Sequence, residues 1–337
     1  MHSNSNSSRR KIVMHVFSAL AGMAILILIA SKTGFEHFVQ NLQEVKPIVL
    51  IPLVIVYSIS WLLRGIRFRM ILSLLKVKTG LFEALGIELV ADMANMIIPA
   101  KLGDSIKVIY LHKKKMLNYT SGTFAAFLVR AMDLAAVILL TLFSVIFVSG
   151  SIAANYLSYI VTMSVLMLLL ALTGWLFVFH PSIFRKMLIG PLKKLRSSVT
   201  ELAEQMRKNP ERLFTVLLVS MLVWIFDILT LFIFLLVFGV KLSFAGTSFV
   251  MLLSTVTKIL PLTPNGLGIY EGMMVMLLTG FGVSESTAFT IAVLDHGFMN
   301  VYSLLLSVMA LHYLGLGFRS TKELLDTKQN RNRELSD

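Results

Sequence analysis

Cysteine does not occur in the 337 residues, so disulfides, zinc ribbons, C-x-x-C redox chemistry and thiol nucleophiles are all excluded. Charge is scarce. Asp, Glu, Lys and Arg make up 15% of the chain, against the roughly 25% with which a soluble domain solvates its surface. The sequence contains no G-x-x-x-x-G-K-[ST], so no nucleotide is expected to bind through a P-loop. Neither H-E-x-x-H nor G-x-S-x-G occurs. The seven histidines are scattered without ligand spacing, and no metal and no cofactor is expected.

What is abundant is apolar sequence: 56% of residues are hydrophobic and the mean hydropathy is +0.81. A helix that crosses a bilayer needs about 20 apolar residues. Six segments qualify, at 12–30, 47–64, 119–149, 155–180, 212–239 and 287–317. Two further apolar stretches are broken: 81–118 at Pro99 and Gly103, and 243–284 at Pro261, Pro264, Gly266 and Gly268. The implied fold is an all-α polytopic membrane protein with no soluble domain of any size. Residues 1–11 read as a disordered basic N-terminus, 12–318 as one transmembrane domain, and 319–337 as a polar basic tail. The run at 12–30 reads as a first span rather than a cleaved signal peptide, because it is long for an h-region and ends on no clean A-x-A site.

The net charge of +13 follows from topology, and no nucleic-acid partner is expected. Lys and Arg collect between the apolar runs, as in loops retained on the cytoplasmic side. The loops near 31–46, 149–155, 239–243 and 282–286 are poor in both. This pattern closes only if each broken stretch leaves the membrane on the side it entered. About six spanning helices and two oppositely oriented re-entrant hairpins follow, with both termini cytoplasmic in a cell (plasma) membrane.

The chain then divides into halves at about 12–149 and 155–317, each reading span, span, hairpin, span. The breaks Pro99-Ala-Lys-Leu-Gly103 and Pro264-Asn-Gly-Leu-Gly268 share P-x-x-L-G at an offset of 165 residues. The same offset carries Arg130 onto Asp295. Inverted repeats with helices broken near the midplane are a transporter plan. In the intervening segment 181–211, Leu188, Leu192, Leu195, Val199, Leu202 and Met206 make one apolar face. The segment reads as a helix on the cytoplasmic leaflet, with a partner-docking coiled coil as the alternative.

Ionisable residues inside the spans mark candidate function, because each costs at least about 2.5–3.5 kcal/mol on the insertion scale unless sheltered. Arg130 and Asp133 lie three apart in the third span, Asp227 in the fifth, and Asp295 with His296 in the sixth. Arg130 reads equally as a substrate contact or as a structural partner of Asp133 or Asp295. Asp133, Asp227 and Asp295 read as structural or coupling charges. Asn95, Lys101, Asp104, Lys107, Lys258, Asn265, Tyr270 and Glu271 crowd the two breaks. Backbone groups freed at such breaks persist at membrane depth only where protein or water satisfies them. A polar cavity lined by both hairpins is the expectation.

These residues carry a resemblance. Asn95-x-x-x-Pro99-x-Lys101-x-Gly103-Asp104-x-x-Lys107, Arg130-x-x-Asp133, Trp61-x-x-Arg64 and Pro264-Asn-Gly-Leu-Gly268-Ile-Tyr-Glu271 resemble the motifs of the transmembrane region of lysylphosphatidylglycerol synthases. That flippase-like family includes stand-alone proteins of about this length. Lys101, Asp104, Lys107 and Asn265 depart from the family pattern, which leaves the lipid unspecified. The resemblance implies a lipid translocase moving a phospholipid or a polyisoprenyl-linked headgroup, with no aminoacyl transfer by this chain. Two alternatives stand beside it: an accessory subunit of a separate lipid-modifying or glycosyltransferase enzyme, and an intramembrane transferase with Asp104 or Glu271 as general base.

Overall fold

The computed structural model describes residues 22–31, 35–97, 102–148, 196–259 and 263–316, with isolated positions elsewhere. Among the described residues all regular structure is helical. The helices are α1 (Gly22–Ser31), α2 (Phe35–Glu44), α3 (Leu50–Leu74), α4 (Leu81–Ile97), α5 (Ser105–Lys113), α6 (Tyr119–Phe147), α7 (Arg196–Lys208), α8 (Pro210–Val237), α9 (Phe244–Val256), α10 (Ile269–Gly280) and α11 (Glu285–Tyr313).

Four described helices are long and apolar enough to cross a bilayer: α3 with its leading turn from Pro47, α6, α8 and α11. Their starts follow from local chemistry. Proline opens the turn before α3 and opens α8, where its missing N–H has no partner to lose. Asn118 caps α6 by accepting from Ser121 N at 2.8 Å. Ser243 and Ser284 cap α9 and α11 in the same way. Residues 12–19 of the first expected span and most of the expected span at 155–180 lie outside the described residues, as do Pro99, Lys101 and both chain ends.

The second span differs from its expected bounds. Arg64, Arg67 and Arg69 read as the start of a basic loop, yet α3 continues to Leu74. Arg67 is 1% exposed. A run of arginines after an apolar stretch resembles a cytoplasmic loop by composition; here buried acids from other helices keep the backbone helical through it.

The two broken stretches are helical hairpins. Along α4 and α5, Asn95 meets Asp104, Glu88 meets Lys107, and Glu83 meets Tyr110, so the chain runs out on one arm and back on the other. Along α9 and α10, Lys258 meets Tyr270 and Phe249 meets Phe281. At 17 residues α4 is about 26 Å long, and α9 at 13 residues is about 20 Å. Glycine makes the first tip possible, since a Cβ on Gly103 would lie 2.5 Å from the Asn95 backbone nitrogen.

Packing relates the halves by exchange. Hairpin arm α4 packs on α11, and hairpin arm α9 packs on α6. Helices α3 and α8 hold the same place in each half and form the central pair. Ser60 meets Asp227, while Arg67, two turns later on α3, meets Ser220 two turns earlier on α8. The two therefore run antiparallel. The hairpins also point in opposite directions. Leu89 meets Ser307 while Gly86 meets Leu314, so α4 is antiparallel to α11; α9 runs with α11, because each is antiparallel to α10. The second tip, Pro264–Gly266, packs against α4.

Of the segment 181–211, the structure describes α7, which packs on α6 and α8. Ala203 and Met206 are buried, while Glu204, Arg207 and Lys208 are exposed.

Candidate functional site: a buried charge layer beside the first hairpin

Between the first hairpin and α3, α6 and α8 lies a layer of side chains alternating in sign. Arg67 forms a very short ion pair with Asp133. Asp133 lies 3.8 Å from Arg130 Nη1. Arg130 grips Asp104 through Nε at 2.6 Å and Nη2 at 2.9 Å. Asp104 also lies 3.4 Å from Lys107, which donates to Glu88 at 2.8 Å. Beside this chain, Arg64 donates to Asp227 at 2.5 Å, and Ser60 donates to the same carboxylate at 2.6 Å. Four cations thus stand against four acids, drawn from α3, α4, α5, α6, α8 and the turn before α5.

The fold explains the layer. Breaking the helix after Ile97 lets the chain reverse, which aligns Asp104 and Lys107 with Asn95 and Glu88 on the neighbouring arm. Burying one charge alone is costly, and each member of the layer is held by at least one opposite charge. One member stands apart. The Arg130 side chain is 40% exposed, whereas Arg67 and Lys107 are sealed. Two of its three nitrogens hold Asp104, and Nη1 has only the long contact to Asp133.

The second hairpin builds a different, enclosed cluster. Glu271 Oε2 accepts from the Gly268 backbone at 2.7 Å, and Oε1 bonds His296 Nδ1 at 2.7 Å. Tyr270 donates to Asp295 at 2.7 Å. Lys258 Nζ stands 3.7 Å above the Tyr270 ring, a cation–π distance. Asn265 donates to Asn300 at 2.7 Å. Gly266 and Gly268 have φ of 77° and 80°, which favours glycine at both.

The sequence-expected residues therefore fall into two groups rather than one cavity wall. Asn95, Asp104, Lys107, Arg130, Asp133 and Asp227 belong to the charge layer or touch it. Lys258, Asn265, Tyr270, Glu271 and Asp295 form the second-hairpin cluster. Arg130 pairs chiefly with Asp104, and Asp295 with Tyr270. Sequence reasoning missed Glu88 and Asp92 altogether and placed Arg67 in a loop. Helical spacing could have found the acids: Glu88, Asp92 and Asn95 sit at i, i+4 and i+7, one face of α4.

Elsewhere on the same helices, an apolar groove of about 460 Å³ opens between α3, α8 and α11, lined by Leu53, Phe234, Phe298 and Tyr302 among others. Tyr302 also bonds Ser58 at 2.5 Å, and its neighbour Tyr57 bonds Ser303 at 3.1 Å. Apolar surface and buried charge thus meet within a few turns of α3.

Buried hairpins, the P-x-x-L-G tips and the Arg-x-x-Asp pair agree with a profile match over residues 15–307 to the lysylphosphatidylglycerol synthase transmembrane region. The chain belongs to that family. It is a membrane protein, similar to UPF0104 membrane proteins from two archaea. One, from Pyrococcus horikoshii, is 21% identical over 82% of this chain and 90% of its own length. Another, from Methanocaldococcus jannaschii, is 24% identical over 65% of this chain and 93% of its own. A third relative is the glycosyltransferase AglD of Haloferax volcanii, 23% identical over 94% of this chain. The chain spans 58% of that relative's length.

Proposed function

We propose that this family member is a lipid translocase in which a lipid's charged headgroup crosses between the two hairpins. The carrying observation is the charge layer beside Arg130, at a hairpin tip, in a chain otherwise committed to apolar burial. An Arg guanidinium binds phosphate by two parallel hydrogen bonds. Arg130 enters that role by exchanging Asp104 for a phosphate, while Asp104 keeps Lys107 and Asn95. Lys107, held by Glu88 and Asp104, and Lys258, over Tyr270, contribute positive charge from the two hairpins; Lys101 lies outside the described residues and enters the proposal only through its sequence position beside the first break. Asn265, Tyr270 and Glu271 brace the tip of the second hairpin.

Hairpins that enter from opposite faces offer each leaflet its own route to the centre. The apolar groove along α3, α8 and α11 supplies a path for acyl chains next to the polar layer, so neither half of the lipid has to cross the wrong medium. In the proposed topology both termini are cytoplasmic and the membrane is the plasma membrane.

The test is reconstitution of the purified chain in liposomes with fluorescent lipids of several headgroup classes. Movement of at least one phosphate-bearing class, lost in Arg130→Ala without loss of fold, is the expected result. A wild-type protein that moves no labelled lipid of any class overturns the reading.

A second reading rests on one relative's name. AglD is a glycosyltransferase that is longer than its match to this chain, which favours an accessory subunit serving a glycosyl-transferring enzyme. Its partner would dock on basic surface such as α7. Arg130→Ala separates the two, since a scaffold keeps its partner when a buried headgroup site is removed.

A further inference from the structure

The charge layer is balanced without one residue at the same depth. Arg64, Arg67, Arg130 and Lys107 are matched by Asp227, Asp133, Asp104 and Glu88. Asp92, half-buried on α4 between Glu88 and Asn95, has no hydrogen bond and no ion pair among the described residues. Glu83, Glu88, Asp104, Asp133, Asp227, Glu271 and Asp295 all have one. One turn further along the same face, Asn95 Oδ1 is buried and accepts no hydrogen bond, while its amide donates to Asp104. Asn95 is 2% exposed.

Two oxygen ligands without donors, one carrying charge, thus stand an i, i+3 step apart at the end of a half-length helix. That end adds the carbonyls of the last turn before the break, which have no partners within α4, and the negative end of its dipole. Broken-helix carboxyl ends of this kind coordinate small coupling cations. No group of three or more His, Cys, Asp or Glu that could hold a metal ion occurs among the described residues, which points away from a transition metal.

We infer that Asp92 and Asn95 form a site for a small monovalent cation, Na⁺, whose binding is linked to movement of the anionic headgroup. Among the described residues, none supplies a resident cation instead. From α3, Tyr57 lies within electrostatic reach of Asp92 together with Arg64 and Asp227, and Arg64 is held by Asp227. From α5, Lys107 is held by Glu88 and Asp104. From the second hairpin, whose tip packs on α4, Lys258 stands on Tyr270. From α11, Ser303 and Ser307 are neutral. A cation bound at Asp92 offsets the negative charge that an incoming phosphate brings to Arg130. This inference rests on the translocase reading for its purpose, though not for its chemistry.

The test begins with binding, which does not depend on transport. Thermal unfolding of the full chain in detergent is followed against Na⁺, with choline holding ionic strength constant. The expected result is that wild type is stabilised by added Na⁺ and that Asp92→Asn loses the stabilisation. If Asp92→Asn does not fold, Asn95→Leu is measured in its place, with the same loss expected. Wild type and variant responding alike, or no response in wild type, overturns the inference. In liposomes, a Na⁺ gradient accelerates lipid movement by wild type and not by Asp92→Asn. A wild type that binds the cation yet moves no lipid refutes the translocase reading and leaves the cation site standing.

Discussion

Arg67 and Arg130 share a neighbour in Asp133 but differ in what surrounds them. Arg67 is sealed among α3, α6 and α8 and also reaches Ser220. Removing it leaves Asp133 with only the 3.8 Å contact to Arg130. Breaking a buried pair by deleting one partner costs about 3–5 kcal/mol, and Arg67→Ala is expected to lower stability by that order in denaturant unfolding. Arg130→Ala is expected to cost clearly less, because its side chain is 40% exposed and Asp104 keeps Lys107 and Asn95. Equal losses in the two variants would show Arg130 to be a structural rivet. This division was not legible in the sequence. Spacing brought Arg130 to Asp133, but the stronger partner, Asp104, lies 26 residues away in the chain and needs the hairpin to arrive. Arg67 was lost for the opposite reason, since its loop-like composition hid a helix.

At the level of elements, the tips decide how closely neighbouring helices approach. Gly268 sits at φ 80°, and a Cβ there would lie 2.5 Å from the Gly22 carbonyl oxygen of α1. Both strain and collision oppose a side chain. A left-handed non-glycine residue alone costs of order 1–3 kcal/mol, so Gly268→Ala is expected to destabilise by at least that much and to loosen α1 from the tip. Thermal unfolding reads the first effect, and proteolysis near α1 the second. Unchanged stability would mean that α1 does not cross the tip as described. The P-x-x-L-G repeat marked both tips from the sequence, because only proline and glycine can break an apolar run so sharply. It could not say what each tip holds: one supports a layer of alternating charges, the other an enclosed Glu–His and Tyr–Asp cluster.

For the whole molecule, α3 and α8 form an antiparallel central pair, and the hairpin arms α4 and α9 each pack on a long helix from the other half of the sequence. Helix class and the ends of α6, α8 and α11 were legible because apolar runs and capping residues are local signals. The pairing of α3 with α8 was not, because it rests on buried ions rather than on periodicity. The chain's lack of cysteine makes topology directly measurable, since any introduced cysteine is the sole reactive thiol. Asn118→Cys is expected to label from the cytoplasmic side and Ser284→Cys from the outside; the reverse pair would invert the proposed orientation.

The most direct measurement of the central claim is a density map of the protein in a bilayer of native lipids. A phosphate within hydrogen-bonding distance of Arg130, with its acyl chains toward the groove at Phe298 and Tyr302, is the predicted result. Tips packed dry against one another, with neither lipid nor water between them in any state, would contradict it.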